Sequence, residues 1–404
     1  MQSKSGLRLL GSLVVLGSLV AGGAGGASAM RVSSSPSSIV IGQITSLTGP
    51  FSVYGVMEVQ GFHIGLEYAT HGTMAINGAP IVVKTLNDAG GSTGLPDPAL
   101  AVTDAKEAVQ NDHAQILQCC ASSASAIAVA GEAATFHKIL MVATAADDSL
   151  SGINRYTFRT SREDSQDAST GAGFAVQQFG DNYMTLAQDY AFGHGQADTW
   201  SKQLDRLHAH NMGKVFFPLT ATDFTPYIQQ ILSAGPKWLF VACAGQQCLG
   251  LWKQLDQQGL LARVHVMTGL PNNAAIPAFG PAGNHIGFIS VYYSGFAHTA
   301  ANTFLIKQMQ KEFHRQPDIF DQDAFAAAQQ IVAAVTKTGS TNAAKLIQAL
   351  EGQTVQGPKG PYTIRKQDHV CLQPMYVAKL VGITPVLLAT KTPKDTAPAL
   401  QANF

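Results

Sequence analysis

Short runs of β-branched residues alternate with helix-length stretches from residue 39 to residue 291, and this alternation restricts the fold more than any other feature of the chain. Ile39-Val40-Ile41 precedes a helix expected from about Gly55 to Tyr68, with Val56, Val59, Phe62 and Leu66 on one face. Ile81 to Val83 reads as a strand, then come a Gly/Pro/Asp loop from Asp88 to Pro98 and a helix over Ala99 to Gln110. Gln115 to Leu117 leads into an Ala-rich helix from Ser123 to His137, and Ile139 to Val142 forms the next strand. A second series follows Arg162, with helices over Asp167–Gln178, Gln196–His210, Asp223–Ser233 and Gln246–Gln257. Its strands run over Tyr183–Ala187, Lys214–Phe217, Trp238–Val241 and Arg263–Met267. Beyond Gly287 to Val291 the pattern turns helical, over Asn302–Phe313, Asp323–Lys337 and Asn342–Leu350. Such βα repetition specifies an α/β fold with parallel sheets covered by helices on both faces, doubly wound. Two series imply two lobes, and the closing helices need the first lobe's sheet to cover, so the chain crosses between lobes several times. Boundaries discontinuous in sequence imply a hinged pair around a cleft.

The start of the chain bears on compartment. Lys4 and Arg8 precede an uncharged run from Leu9 to Val20, and small residues end in Ala27-Ser28-Ala29. Residues 1–29 therefore read as a cleaved secretory signal. With 26 basic and 26 acidic side chains the chain has no electrostatic footprint for nucleic acid. Charged residues make up 13 % and apolar ones 46 %, which excludes a disordered chain. No later stretch is apolar over membrane length. In an oxidising compartment the 5 cysteines invite disulfides, and their odd number leaves one thiol over. The pairing of Cys119, Cys120, Cys243, Cys248 and Cys371 stays open.

Enzyme templates are nearly absent, with no H-E-x-x-H, G-x-x-x-x-G-K-[ST] or C-x-x-C. Gly90 to Gly94 matches G-x-S-x-G, but Ser92 lies in a long loop rather than in the strand-to-helix turn a nucleophile needs. Gly193-His194-Gly195 lacks the third glycine of a dinucleotide loop. His208 and His210, two apart on an expected helix, point to different faces and cannot share a metal. Cys119 and Cys120 suit buried thiols or a disulfide better than a nucleophile, which would need a base and an orienting partner.

Ser122 and Ser123 fall where a strand ends and a helix begins, the edge of an open α/β sheet at which ligands bind. Ser123 is expected as a helix N-cap, and the free N–H groups there also suit a carboxylate. Two more loops reach that edge, Thr45 to Gly55, presenting Tyr54, and Ala143 to Asp148. Three converging loops describe a small-molecule site.

"SLTGPFSVYG" near residue 46, "DYAFGHG" at Asp189 to Gly195 and "QDHVCLQPMYVAKL" at Gln367 to Leu380 resemble exported solute-binding proteins related to the branched-chain amino-acid receptors of ABC importers. The resemblance spans Ile39 to about Leu380. It implies a type I periplasmic-binding-protein fold, two lobes joined by three hinge crossings near Phe158–Ser165, Ser290–Ser294 and His369–Gln373. Lobe 1 would comprise residues 38–160 plus 291–370 and lobe 2 residues 161–290 plus 371–404. It further implies that Ser122 bonds a ligand carboxylate with help from the loop containing Ala145 and Asp147. Tyr54 and Phe192 would face the ligand from opposite lobes, and closure would bring in the loop from Ala244 to Gln246 and the segment around Leu270.

Departures from the family pattern bear on the ligand. Amino-acid receptors hold the α-ammonium with a second-lobe carboxylate, where this chain reads Thr268-Gly269-Leu270-Pro271-Asn272-Asn273. An ammonium buried without an opposite charge is costly. Either Asp147 or Asp148 takes that role and the ligand is an amino acid, or the ligand carries a carboxylate or amide head on an apolar, aromatic or aliphatic body. The expected protein is a periplasmic, monomeric receptor without catalysis, cofactor or metal, handing a small molecule to a membrane permease. A ligand-sensing subunit that signals to a membrane receptor without transport is the alternative.

Overall fold

The computed structural model describes residues 38–402, so the expected leader lies outside the described residues. The first lobe begins with β1 (Ile39–Thr45) and α1 (Ser52–Ala69), then β2 (Ala75–Ile76) and β3 (Ala79–Asn87). A two-stranded hairpin, β4 (Ala89–Gly90) and β5 (Leu95–Pro96), precedes α2 (Pro98–Gln110), β6 (Ile116–Cys119), α3 (Ser123–Thr135), β7 (Ile139–Val142) and β8 (Thr157–Arg159). The 6-stranded sheet has the order β2-β3-β1-β6-β7-β8, with β2 alone antiparallel. Its strands are apolar on both faces because helices cover both. Ile44, Leu117, Leu140 and Val142 pack with Ala101, Ala105, Ala126 and Val129 of α2 and α3. On the other face Ile41, Ile116 and Met141 meet Phe62 and Leu66 of α1 and the returning C-terminal helices.

The second lobe runs α4 (Asp164–Phe179), β9 (Asn182–Gln188), α5 (Ala191–Arg206), β10 (His210–Phe217), α6 (Thr225–Ala234), β11 (Trp238–Ala242), α7 (Cys248–Gln257), β12 (His265–Gly269) and β13 (Ile286–Ser290). The chain then forms α8 (Ala300–Phe313), α9 (Asp321–Thr338) and α10 (Ala343–Leu350), of which α9 and α10 cover the first sheet. A small sheet of β14 (Thr354–Gly357), β15 (Gly360–Ile364) and β16 (Cys371–Leu372) follows. Finally β17 (Met375–Val381) and β18 (Thr384–Lys391) add antiparallel strands to a 7-stranded sheet ordered β10-β9-β11-β12-β13-β17-β18.

Three short segments carry the chain between sheets, residues 160–163, 291–299 and 373–374. The first and third are tied together: Gln373 Nε2 donates to the Thr160 carbonyl at 2.8 Å, and beside them Gln166 Nε2 donates to the Cys371 carbonyl at 3.0 Å. Arg159, wholly buried, donates to the carbonyls of Asp147, Ala145 and Arg162 at 2.8–2.9 Å and pairs with Glu163 at 3.7 Å.

Several expectations need correction. The helix expected over Gln196–His210 starts earlier, at Ala191, and ends at Arg206, so His208 lies in a turn at φ 57° and His210 opens β10. Of the expected face of α1, Phe62 and Leu66 are buried, Val59 is half-buried and Val56 is exposed, and Met57, Glu58, Gly61 and Ile64 are buried beside them. The strand expected at Arg263–Met267 runs two residues later. The strands after residue 353 were not expected; β17 and β18 form an antiparallel hairpin that joins the sheet through β13, about 85 residues back along the chain. Cys119 pairs with Cys120 and Cys243 with Cys248, while Cys371 is a free, buried thiol.

Candidate ligand-binding site

A cavity of about 230 Å³ lies between the lobes, at the carboxyl ends of β7 on one side and of β11 and β12 on the other. This is the place where strand-end loops leave an open α/β sheet.

The first-lobe wall is built by local chain chemistry. Ser122 stands at the N-cap of α3 with extended backbone (φ −110°, ψ 134°), and its side chain does not cap the helix. The first N–H groups of α3 therefore lack a side-chain acceptor, and the positive end of the helix dipole adds to their attraction for an anion. Ser123 lines the cavity and its Oγ accepts from the backbone N–H groups of Ala146 and Asp147, both at 3.3 Å. Its own hydroxyl proton remains free to donate into the cavity. Ala145 and Thr144 line the wall beside it, and Thr144 Oγ1 donates to the Cys120 carbonyl. Tyr54, at the first turn of α1, packs edge-on against Phe51 and Phe320 with ring centroids 5.8 and 5.0 Å away.

The facing wall comes from the second lobe. Tyr190 and Phe192 stand at the start of α5, and Leu270 and Asn272 follow β12. The loop between β11 and α7 contributes Ala244, Gly245 and Gln246. Its shape is set by the Cys243–Cys248 disulfide and by Gln188, which donates to the Ala244 carbonyl at 3.0 Å and accepts the Ala244 N–H at 2.7 Å.

Of the expected residues, Tyr54, Ser123, Ala145, Phe192, Ala244, Gln246 and Leu270 line the cavity. Ser122 lies between lining residues Ala121 and Ser123, with 4 % of its surface exposed. Asp147 is not part of the lining: its carboxylate accepts the Ser149 N–H at 2.9 Å, and Asp148 is held by the N–H and hydroxyl of Ser165.

Arg162, Asp167 and Gln196 are among the polar lining residues to which the sequence reading gave no role. Arg162 Nε lies 3.3 Å from Asp167 Oδ2, and Gln196 Nε2 donates to Asp164 and Asp167, both at 2.7 Å. Burial alone would make the guanidinium easier to deprotonate, but Asp167, Asp164 and Asp323 outweigh it and hold Arg162 charged. Burial pushes Asp164 well above the usual carboxylate range, with Asp148, Asp147 and Asp167 adding to the effect. The one available signal was the density of charge in Arg159-Thr160-Ser161-Arg162-Glu163-Asp164, exceptional for a chain only 13 % charged.

The lobes touch across the cavity. The Gly245 N–H donates to Tyr54 Oη at 3.0 Å and the Gln246 N–H to the Pro50 carbonyl at 3.0 Å. The Asn273 N–H donates to both carboxylate oxygens of Asp318 at 3.1 and 2.9 Å. Among the described residues no group of three or more His, Cys, Asp or Glu is placed to hold a metal, and no helix is long and apolar enough to cross a membrane. Ser92 is exposed in the turn between β4 and β5, away from any strand-to-helix elbow.

Comparison with known proteins agrees with this architecture. The family model for periplasmic binding proteins matches residues 38–383. The leucine-, isoleucine-, valine-, threonine- and alanine-binding protein of Pseudomonas aeruginosa is 25 % identical over 319 residues, 78 % of this chain and 82 % of that protein. A crystal structure described as an ABC-type branched-chain amino acid transporter from Rhodopseudomonas palustris is 33 % identical with a TM-score of 0.73, covering 91 % of this chain and 100 % of that one. A solute-binding protein of an ABC transporter from R. palustris, in complex with 4-hydroxybenzoate, shares the fold at 22 % identity and a TM-score of 0.79, over 88 % of this chain and 97 % of that one. The chain belongs to the periplasmic binding protein family, among the two-lobed α/β solute-binding proteins of ABC importers related to the Leu/Ile/Val-binding proteins.

Proposed function

We propose that the cavity between the lobes takes a small ligand with a carboxylate or amide head, and that the closed, loaded form delivers it to a membrane permease. The observation that carries this reading is the uncapped start of α3 beside the Ser123 hydroxyl, set opposite aromatic side chains in one cavity. In this reading lobe 1 (residues 38–160 plus 291–370) holds the head group, and lobe 2 (residues 161–290 plus 371–404) closes on the body. Ligand favours the closed form by binding it better than the open one. A volume of about 230 Å³ matches about eight water molecules, enough for one ring or one branched chain.

The two ligand classes left open divide on the ammonium. Asp147 and Asp148 accept from Ser149 and Ser165, and the charge of Asp167 is offset by Arg162, with Gln196 on the same Oδ2 and Oδ1 buried without a hydrogen-bond partner among the described residues. An aromatic or branched aliphatic acid without an ammonium fits that distribution, and 4-hydroxybenzoate in one structural neighbour is of this class. The branched-chain amino acids named for the other relatives supply the competing panel.

A thermal-shift screen of benzoate, 4-hydroxybenzoate, 4-methylpentanoate, L-leucine and L-phenylalanine tests the reading. At least one should raise the unfolding midpoint progressively with concentration. Ser123→Ala should weaken that ligand about 10- to 150-fold, the value of one hydrogen bond to a charged group. No response across the panel, or full affinity in Ser123→Ala, would count against the head-group cradle.

A further inference from the structure

We infer that Arg162 is a specificity-determining residue whose free guanidinium edge takes the ligand's carboxylate, making the receptor selective for anions over isosteric amides. This rests on the reading of the inter-lobe cavity as the ligand site. Arg162 lines that cavity together with Ser123, and only 7 % of its surface is exposed. Two of its nitrogens face protein oxygens: Nη1 donates to the Thr144 carbonyl at 3.2 Å, and Nε, buried and without a hydrogen bond among the described residues, lies 3.3 Å from Asp167 Oδ2 as an ion pair. Nη2 makes no hydrogen bond among the described residues and, unlike Nε, is not sealed by packing. The guanidinium carbon lies 5.8 Å from the Phe320 ring centroid, so an aromatic face fixes its plane. A buried guanidinium held at Nη1, with Nη2 left for a ligand, is a carboxylate partner that a lysine would not match.

Its position adds a second consequence. Arg162 belongs to the segment 160–163 that links β8 to α4, and its anchors lie on both sides of that link, Thr144 after β7 and Asp167 on α4. A carboxylate on Nη2 therefore binds at the hinge itself. In this proposal the carboxylate spans Ser123 and Arg162, so charge recognition acts on a segment that joins the lobes.

Calorimetry with two isosteric pairs tests this, benzoate against benzamide and 4-methylpentanoate against 4-methylpentanamide, in wild type, Arg162→Gln and Arg162→Lys. Arg162→Gln should weaken the acid about 10- to 100-fold and the matching amide by less than about threefold, with Arg162→Lys between. Equal losses for acid and amide would show a merely structural role and overturn the inference while leaving the binding reading intact. Wild type binding none of the four while responding to L-leucine or L-phenylalanine would overturn this inference and leave the binding reading intact; no response to any of these compounds would overturn both. If Arg162→Gln fails to fold, a crystal structure of wild type with the bound acid decides. A carboxylate within hydrogen-bond distance of Nη2 supports the assignment, and a carboxylate held by α3 alone rejects it.

Discussion

Glu58 shows how one residue can link the first lobe to pH. Its side chain is wholly buried on α1, accepting from Thr45 Oγ1 at 2.6 Å and from Gln118 Nε2 at 2.5 Å. Burial pushes its carboxyl from 4.5 up to about 8, against the lowering effect of those two donors. The folded chain therefore keeps a proton that the unfolded chain releases above pH 4.5, so the folded state binds more protons across that window. The contribution is complete below about pH 4.5 and is lost as pH rises toward about 8. Glu58→Gln, which cannot ionise, should gain stability relative to wild type as pH is raised from 5 to 8.5. Thermal unfolding at several pH values would show it; a constant difference would mean that Glu58 has an ordinary pKa. The sequence alone showed a glutamate in a helix and no reason for its burial, because Thr45 and Gln118 come from different strands.

At the scale of elements, the contact between α1 and α9 holds the returning helices on the first sheet. A methyl group placed on Gly65 would lie 2.6 Å from the Phe325 carbonyl and 2.9 Å from Ala328 Cβ. That approach is backbone against backbone, so neither helix can yield by turning a side chain. Gly65→Val should lower the urea midpoint by the equivalent of about 1–3 kcal/mol or more, the usual cost of overpacking. An unchanged midpoint would mean that the helices can move apart freely. The βα periodicity announced both helices, but their partnership depends on a gap of more than 250 residues closing in space, which local patterning does not encode. The same holds for β17 and β18, which complete the second sheet from the far end of the chain.

For the whole molecule, the two lobes meet across the cavity through a few hydrogen bonds. Tyr54 serves twice, as an aromatic wall and as the acceptor of the Gly245 N–H from the opposite lobe. Tyr54→Phe keeps the ring and removes the acceptor, leaving that N–H without its partner in the closed form. Ligand affinity should fall about 3- to 30-fold, mainly through faster dissociation, since the lost bond belongs to the closed state. Stopped-flow fluorescence separates the two rates; an effect confined to association would place the role of Tyr54 in the open form.

The alternation of β-branched runs and helices was enough to define an α/β chain with two lobes, because strand and helix periods are local properties of the backbone. Serines at the end of β6 and the loops near Tyr54 and Ala145 were also legible, since they sit at strand-to-helix junctions whose direction follows from that alternation. Tertiary structure decided what those junctions face. It turned Asp147 and Asp148 toward neighbouring turns, paired the cysteines, and brought Arg162 from a crossing segment into the cavity wall. The physical reason is that a charge's role depends on which partners surround it once water is gone, and those partners are gathered by the fold from distant parts of the chain.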